Sequence, residues 1–160
     1  MSNLEIAMLY QGEPRNKALL DVATLTLDNP DTMFEGRVKL AQLSNKPYIW
    51  FIDDDDVVLD IPKNFEGNDI TLYKTMYRGK SSFNEIAMWA KVFRTDIIKN
   101  LNPYKINYLE DFLFTFLTRD YKKSYVNQTI YKYTGSKYNI KKDEGKVYYQ
   151  ILKEIINGQQ

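Results

Sequence analysis

The stretch KPYIWFIDDDD, from Lys46 to Asp56, constrains the fold of this chain more than any other. Five residues, Tyr48 to Ile52, favour burial, and four carboxylates follow without a spacer. An apolar run of that length, opened by a proline, predicts a central strand covered on both faces. The aspartates after it cannot enter an apolar interior alone, because an unpaired buried carboxylate is costly or takes up a proton. They must be solvated, paired or bound to a metal.

The flanking segments supply a layered frame. Leu4 to Tyr10 reads as a short buried strand, and Pro14 with Lys17 to Ala23 reads as a helical turn. Leu25 to Leu27 alternates like a strand before the Asp28–Asp31 turn, and Phe34 to Leu43 returns to helical spacing. Further strands are expected at Val57–Leu59, Ile70–Tyr73 and Tyr125–Tyr133, with helices at Thr95–Leu101 and Leu109–Arg119. Arg78 to Ser82 reads as a basic, flexible loop. In the tail, apolar pairs four apart predict an amphipathic helix over about 144–157, suited to core or homodimer packing. Strands alternating with helices indicate one α/β domain over 1–160 with a mostly parallel sheet. Ligands of such sheets sit beyond the carboxyl ends of the strands, where the four aspartates stand.

Two absences narrow the chemistry. Without Cys there is no thiolate nucleophile or disulfide, and without His there is no imidazole base or ligand. Catalysis must then use carboxylates, Tyr, Lys or Arg, and any metal must be a hard, oxygen-bound cation such as Mn²⁺ or Mg²⁺. Lys+Arg 22 against Asp+Glu 21 excludes a global basic field for nucleic acid. No apolar run reaches the ~18 residues of a membrane span, and the first residues lack the basic start of a signal peptide. A soluble, cytoplasmic protein is the expectation.

Each charged cluster has a plain reading beside the functional one. While the backbone stays extended, Asp53 and Asp55 share one face and Asp54 and Asp56 the other. Two carboxylates on a face suffice for a divalent cation that keeps waters and substrate phosphates. A solvated acidic turn is the alternative, and the buried strand before it favours the metal or phosphate-sugar site. Glu110 and Asp111 open an apolar helix, where acidic residues complement the helix dipole, but a chain without His needs a carboxylate for base work. Arg78 and Lys80 have the charge to meet a diphosphate, with an exposed loop as the competing reading.

In order, these pieces resemble the family 2-like glycosyltransferases of GT-A fold. KPYIWFIDDDD is similar to the strand ending in their Asp-x-Asp motif, and GRVKLAQLSN to the helix before it. MWAKVFRTDIIKNL resembles their Trp-x-Lys-hydrophobic-aromatic-Arg stretch, INYLEDFLFTFL their Glu-Asp motif, and TIYKYTGSKYNI their Tyr-x-Tyr and Ser. The likeness runs from about Phe34 to Asn139. The segment before it is short for that family, and LTLDNPD, Leu25 to Asp31, is the nearest match to its nucleotide-binding turn.

The resemblance implies transfer of a sugar from a nucleotide-sugar donor to an acceptor hydroxyl, with inversion. It implies Asp55 as the direct metal ligand with Asp53 and Asp56 assisting, and Asp53 and Asp54 at the donor. Asp28 or Asp31 would meet the base or ribose; Arg78 and Lys80 are candidates for the diphosphate on their charge alone. Trp89 and Lys91 would stand at the acceptor, and Asp111, or Glu110 next to it, would be the general base. Two alternatives stay open: an inactive relative that binds a sugar or partner, and metal-dependent phosphoryl transfer on the aspartates.

Overall fold

The computed structural model describes residues 2–135 and 142–158. Strand β1 (Leu4–Tyr10) lies between β2 (Leu25–Asp28) and β3 (Tyr48–Ile52), parallel to both. Beyond β3 come β7 (Lys91–Arg94), β5 (Ile70–Tyr77), β8 (Lys123–Lys132) and β4 (Val57–Val58), with β6 (Lys80–Phe83) paired on β5. Strand β7 is antiparallel to both β3 and β5, so β3 and β5 point the same way, and β8 runs parallel to β5. More residue pairs in the sheet are parallel than antiparallel. The carboxyl ends of β1, β2, β3, β5 and β8 therefore share one edge.

The YIWFI run behaves as its composition requires. Ile49 and Phe51 face a core built with α1 (Met33–Leu43), α2 (Thr95–Lys99) and α3 (Glu110–Leu117), where Phe34 stacks on Phe114 at 4.0 Å. Trp50 and Ile52 face a second core with Met8, Tyr73 and Tyr131, and Trp50 Nε1 donates to the Trp89 carbonyl at 2.8 Å. Burial of both faces is what forces the strand to be apolar throughout. Helix α4 (Lys142–Gly158) lays Tyr148, Ile151, Leu152 and Ile155 against the first core, so its apolar stripe serves core packing. No described helix is long and apolar enough to cross a membrane.

Thr32 caps helix α1: its Oγ1 accepts the Glu35 N–H at 3.3 Å and donates to the Glu35 carboxylate at 3.0 Å. Gly36 brings this helix against the sheet edge: a Cβ there would lie 2.7 Å from Pro30 Cβ and 2.9 Å from Leu9 Cδ2. That approach sets Arg37, the next residue, beneath the end of β3.

Three local expectations change. The turn after Pro14 is only a 3-10 helix, Lys17–Asp21. Arg78 to Ser82 is not a flexible loop but a tight β5–β6 hairpin, with Arg78 and Gly79 both at positive φ (50° and 76°) as a two-residue turn demands. The backbone also leaves the strand at Asp53 and turns through Asp54 and Asp55, so the alternation expected of an extended chain does not apply.

Candidate functional site

That turn sorts the four aspartates. Asp54 swings to Arg15, whose Nε and Nη2 donate to one carboxylate oxygen at 3.0 and 2.7 Å while the Arg15 N–H reaches the other at 3.2 Å. Asp53, Asp55 and Asp56 gather instead, each offering a carboxylate oxygen within 4.8 Å of the others. Asp56 is fully buried and well partnered: Tyr131 Oη donates at 2.8 Å, Thr134 N–H at 2.9 Å and Thr134 Oγ1 at 3.0 Å. Burial still pushes its carboxyl above the ordinary range, against those hydrogen bonds.

Asp55 differs from its neighbours. Arg15 Nη1 stands 3.2 Å from its Oδ2, yet both carboxylate oxygens are buried without a hydrogen-bond partner. Buried polar atoms are ordinarily satisfied, so this pair of oxygens is an exception that asks for a ligand. Three clustered carboxylates, of which Asp55 alone has buried oxygens without a hydrogen bond, form an all-oxygen donor set that suits a hard divalent cation.

Below the cluster lies Arg37, 3 % exposed, which sequence reasoning missed. Its Nη2 donates to Asp53 at 3.0 Å, and its Nη1 to Asp111 at 2.7 Å and Glu110 at 3.3 Å. The strand end and the head of α3 thus share one buried guanidinium. Burial pushes Asp53 up to about 7, although Arg37 pulls the other way. Burial and then neighbouring Asp111 push Glu110 up to about 8, again outweighing Arg37. A signal was present: Arg37 sits three residues after Phe34 and four before Ala41, on the buried stripe of α1, where a charge needs a partner.

Part of this cluster opens on a cleft of about 1110 Å³ at the shared strand edge; Asp55, Asp56 and Arg37 are not among its lining residues. Asp53, Asp54, Glu110, Asp111, Asp31 and Trp89 all reach it, together with Arg15, which sequence reasoning did not single out. Trp89 stacks on Tyr131 at 5.2 Å and on Tyr133 at 5.3 Å to form one wall. Asp28 stands at the margin, accepting the Gly12 N–H at 2.8 Å. Arg78 and Lys80 do not line the cleft; Arg78 covers the Tyr77 ring at 5.1 Å in the hairpin turn, held there by the β5–β6 register. Lys91 also departs from its expected place. It is 1 % exposed and lies behind the wall, bonded to Ile86 O and Thr115 Oγ1, because strand β7 turns it inward. Ser136, the last element of the sequence likeness, lies outside the described residues.

Sheet order, flanking helices and an acidic cleft at the strand ends define a GT-A-like α/β fold. Among solved structures, the chain is similar to the GT-A-type glycosyltransferase TarS of S. aureus. TarS 1-349 with UDP-GlcNAc matches with TM-score 0.61 and 15% identity over 96% of this chain and 67% of that one. A further structure of TarS 1-349 matches with TM-score 0.55 and 14% identity over 82% of this chain. The chain spans only 60% of the length of that TarS structure. A197 from STIV matches with TM-score 0.52 and 9% identity, over 77% of this chain and 82% of that one. No family model matches the chain, and no curated protein matches it by sequence. Likeness at these identities establishes the fold.

Proposed function

We propose that the protein is a metal-dependent glycosyltransferase that moves a sugar from a nucleotide-sugar donor to an acceptor hydroxyl. The observation that carries this reading is the unsatisfied Asp55 carboxylate beside Asp53 and Asp56, one guanidinium away from Asp111. The TarS structures with UDP and with UDP-GlcNAc support a nucleotide-sugar donor.

Asp55, with Asp53 and Asp56, would hold Mn²⁺ or Mg²⁺. When bound, such a cation neutralises the charge that develops on a departing nucleoside diphosphate. Asp111 takes the proton of the acceptor hydroxyl; the acceptor oxygen bonds to the anomeric carbon as the bond to the diphosphate oxygen breaks. Arg37 holds Asp111 at a fixed distance from Asp53 and so spaces base and donor. Direct displacement of this kind inverts the anomeric centre. Arg15, half exposed and lining the cleft, is the guanidinium suited to the diphosphate.

The second reading is a sugar- or partner-binding module without turnover. It is favoured by the 2.7 Å Arg37–Asp111 contact, which engages an oxygen of the intended base. A nucleotide-sugar panel led by UDP-GlcNAc, with Mn²⁺ or with chelator, separates the two. Enzyme requires a cation-dependent rise in melting temperature and slow donor hydrolysis; binding without hydrolysis supports the module. If no nucleotide sugar shifts the melting temperature in Mn²⁺, the donor site is wrong.

A further inference from the structure

Lys91 is a buried ammonium held by two formally neutral oxygens, the Ile86 carbonyl at 3.3 Å and Thr115 Oγ1 at 3.0 Å. Burial lowers its pKa to about 8, while Asp111 and Glu85 act in the other direction. A buried cation is expensive, and a methionine could fill much of the same space without the charge. What the lysine adds is a connection. Thr115 Oγ1 lies 2.7 Å from the Asp111 carbonyl and 3.2 Å from the Ile86 carbonyl, and its single proton suits the shorter contact.

Both carbonyls belong to walls of the cleft. Ile86 sits in the loop after β6, whose other side is fixed by Asn84 Oδ1 accepting the Ile86 and Ala87 N–H groups at 2.9 Å. Asp111 stands in the first turn of α3. We propose that Lys91 is a positioning residue: through Thr115 and Ile86 O it locks the Asn84–Ala87 wall against the Asp111 end of α3. It thereby sets the gap in which an acceptor hydroxyl meets Asp111. This rests on the reading of Asp111 as the base. Lys91 touches no reacting atom.

The test uses Lys91→Met, Thr115→Val and the double variant in the full chain. Hydrogen–deuterium exchange without substrate should rise in Lys91→Met at residues 84–87 and 110–112 together, with β1 and β3 unchanged. Affinity for the nucleotide sugar that shifts the wild-type melting temperature should stay within about twofold, since Asp53 and Asp55 are untouched. Its single-turnover hydrolysis should fall roughly 10- to 100-fold, the cost of a small misplacement of a reacting group. The double variant should be no slower than Lys91→Met, because residues in one network are not additive. Unchanged exchange at both segments, hydrolysis equal to wild type, or additive losses would each overturn the proposal. Should Lys91→Met not fold, Thr115→Val breaks the same link and must give the same paired rise in exchange. A wild type that hydrolyses no nucleotide sugar counts against the glycosyltransferase reading, while exchange still decides whether Lys91 joins the two walls.

Discussion

Arg37 Nη1 lies 2.7 Å from Asp111 Oδ1 although 74 positions separate them in the chain. The same guanidinium reaches Asp53 at 3.0 Å, so the end of β3 and the head of α3 are fixed through one cation. Removing that charge leaves Asp53, Glu110 and Asp111 facing one another. Arg37→Met should destabilise the protein by about 3–5 kcal/mol, as breaking a buried ion pair from one side does. Urea unfolding measures it, and a loss below about 1 kcal/mol would place the guanidinium outside the structural frame.

Asp55→Asn should abolish the Mn²⁺ dependence of nucleotide binding and leave the fold intact or slightly more stable. Its oxygens make no hydrogen bond, and the Arg15 contact at 3.2 Å comes from a half-exposed side chain that water and salt screen. Losing one of several adjacent like charges relieves repulsion. Thermal shift with and without Mn²⁺ reads both effects. A variant that unfolds makes Asp55 a structural residue instead.

Asp111→Asn keeps the side chain's shape but removes the basicity. Donor affinity should remain within about threefold, while turnover should fall roughly 10² to 10⁴-fold, the contribution of a positioned general base. If only Glu110→Gln removes turnover, the base sits one residue earlier. Near-wild-type turnover in both variants would sink the carboxylate mechanism.

The pH dependence of stability should carry the mark of Glu110. Folded, it holds its proton up to about pH 8; unfolded, it sheds it near its ordinary 4.5. Between those values the native chain binds more protons, so this contribution is complete at low pH and is lost as pH rises towards 8. One such group lowers stability by at most ~1.4 kcal/mol per pH unit. Denaturant unfolding from pH 5 to 8 should show a steeper decline in the wild type than in Glu110→Gln, whose side chain cannot ionise. Equal slopes would mean that Glu110 is already charged in the folded chain.

Gly36→Ala should destabilise despite alanine's better helix propensity. The added methyl meets Pro30 Cβ at 2.7 Å and Leu9 Cδ2 at 2.9 Å, and overpacking of that kind costs about 1–3 kcal/mol against a propensity gain of about 1 kcal/mol. Unfolding of the purified variant checks the sign. A gain in stability would show that α1 can shift away from β1.

Much of the framework was legible along the chain because its signals are local. Apolar spacing located β1, β3, α1 and α3 to within a few residues, and the carboxylates at the end of a doubly buried strand marked the ligand edge. The β5–β6 hairpin was missed because Arg78 occupies a left-handed turn position more often filled by Asn or Gly. Arg15 was not singled out and Lys91 was expected at the acceptor for another reason: their environments are made by residues distant in sequence.

By itself, then, the sequence determined the elements, the core faces of β3 and the kind of chemistry open to a chain without His or Cys. Periodicity and composition act between near neighbours, and they suffice for that. Only the tertiary structure decided which aspartate does what. The turn after Ile52 sends Asp54 to Arg15, seats Asp56 under Tyr131 and Thr134, and leaves Asp55 unsatisfied beside Asp53. Charged groups in a low-dielectric interior are governed by whatever lies within a few ångströms, and for Asp53 and Asp111 that neighbour is Arg37, brought from a different helix by packing.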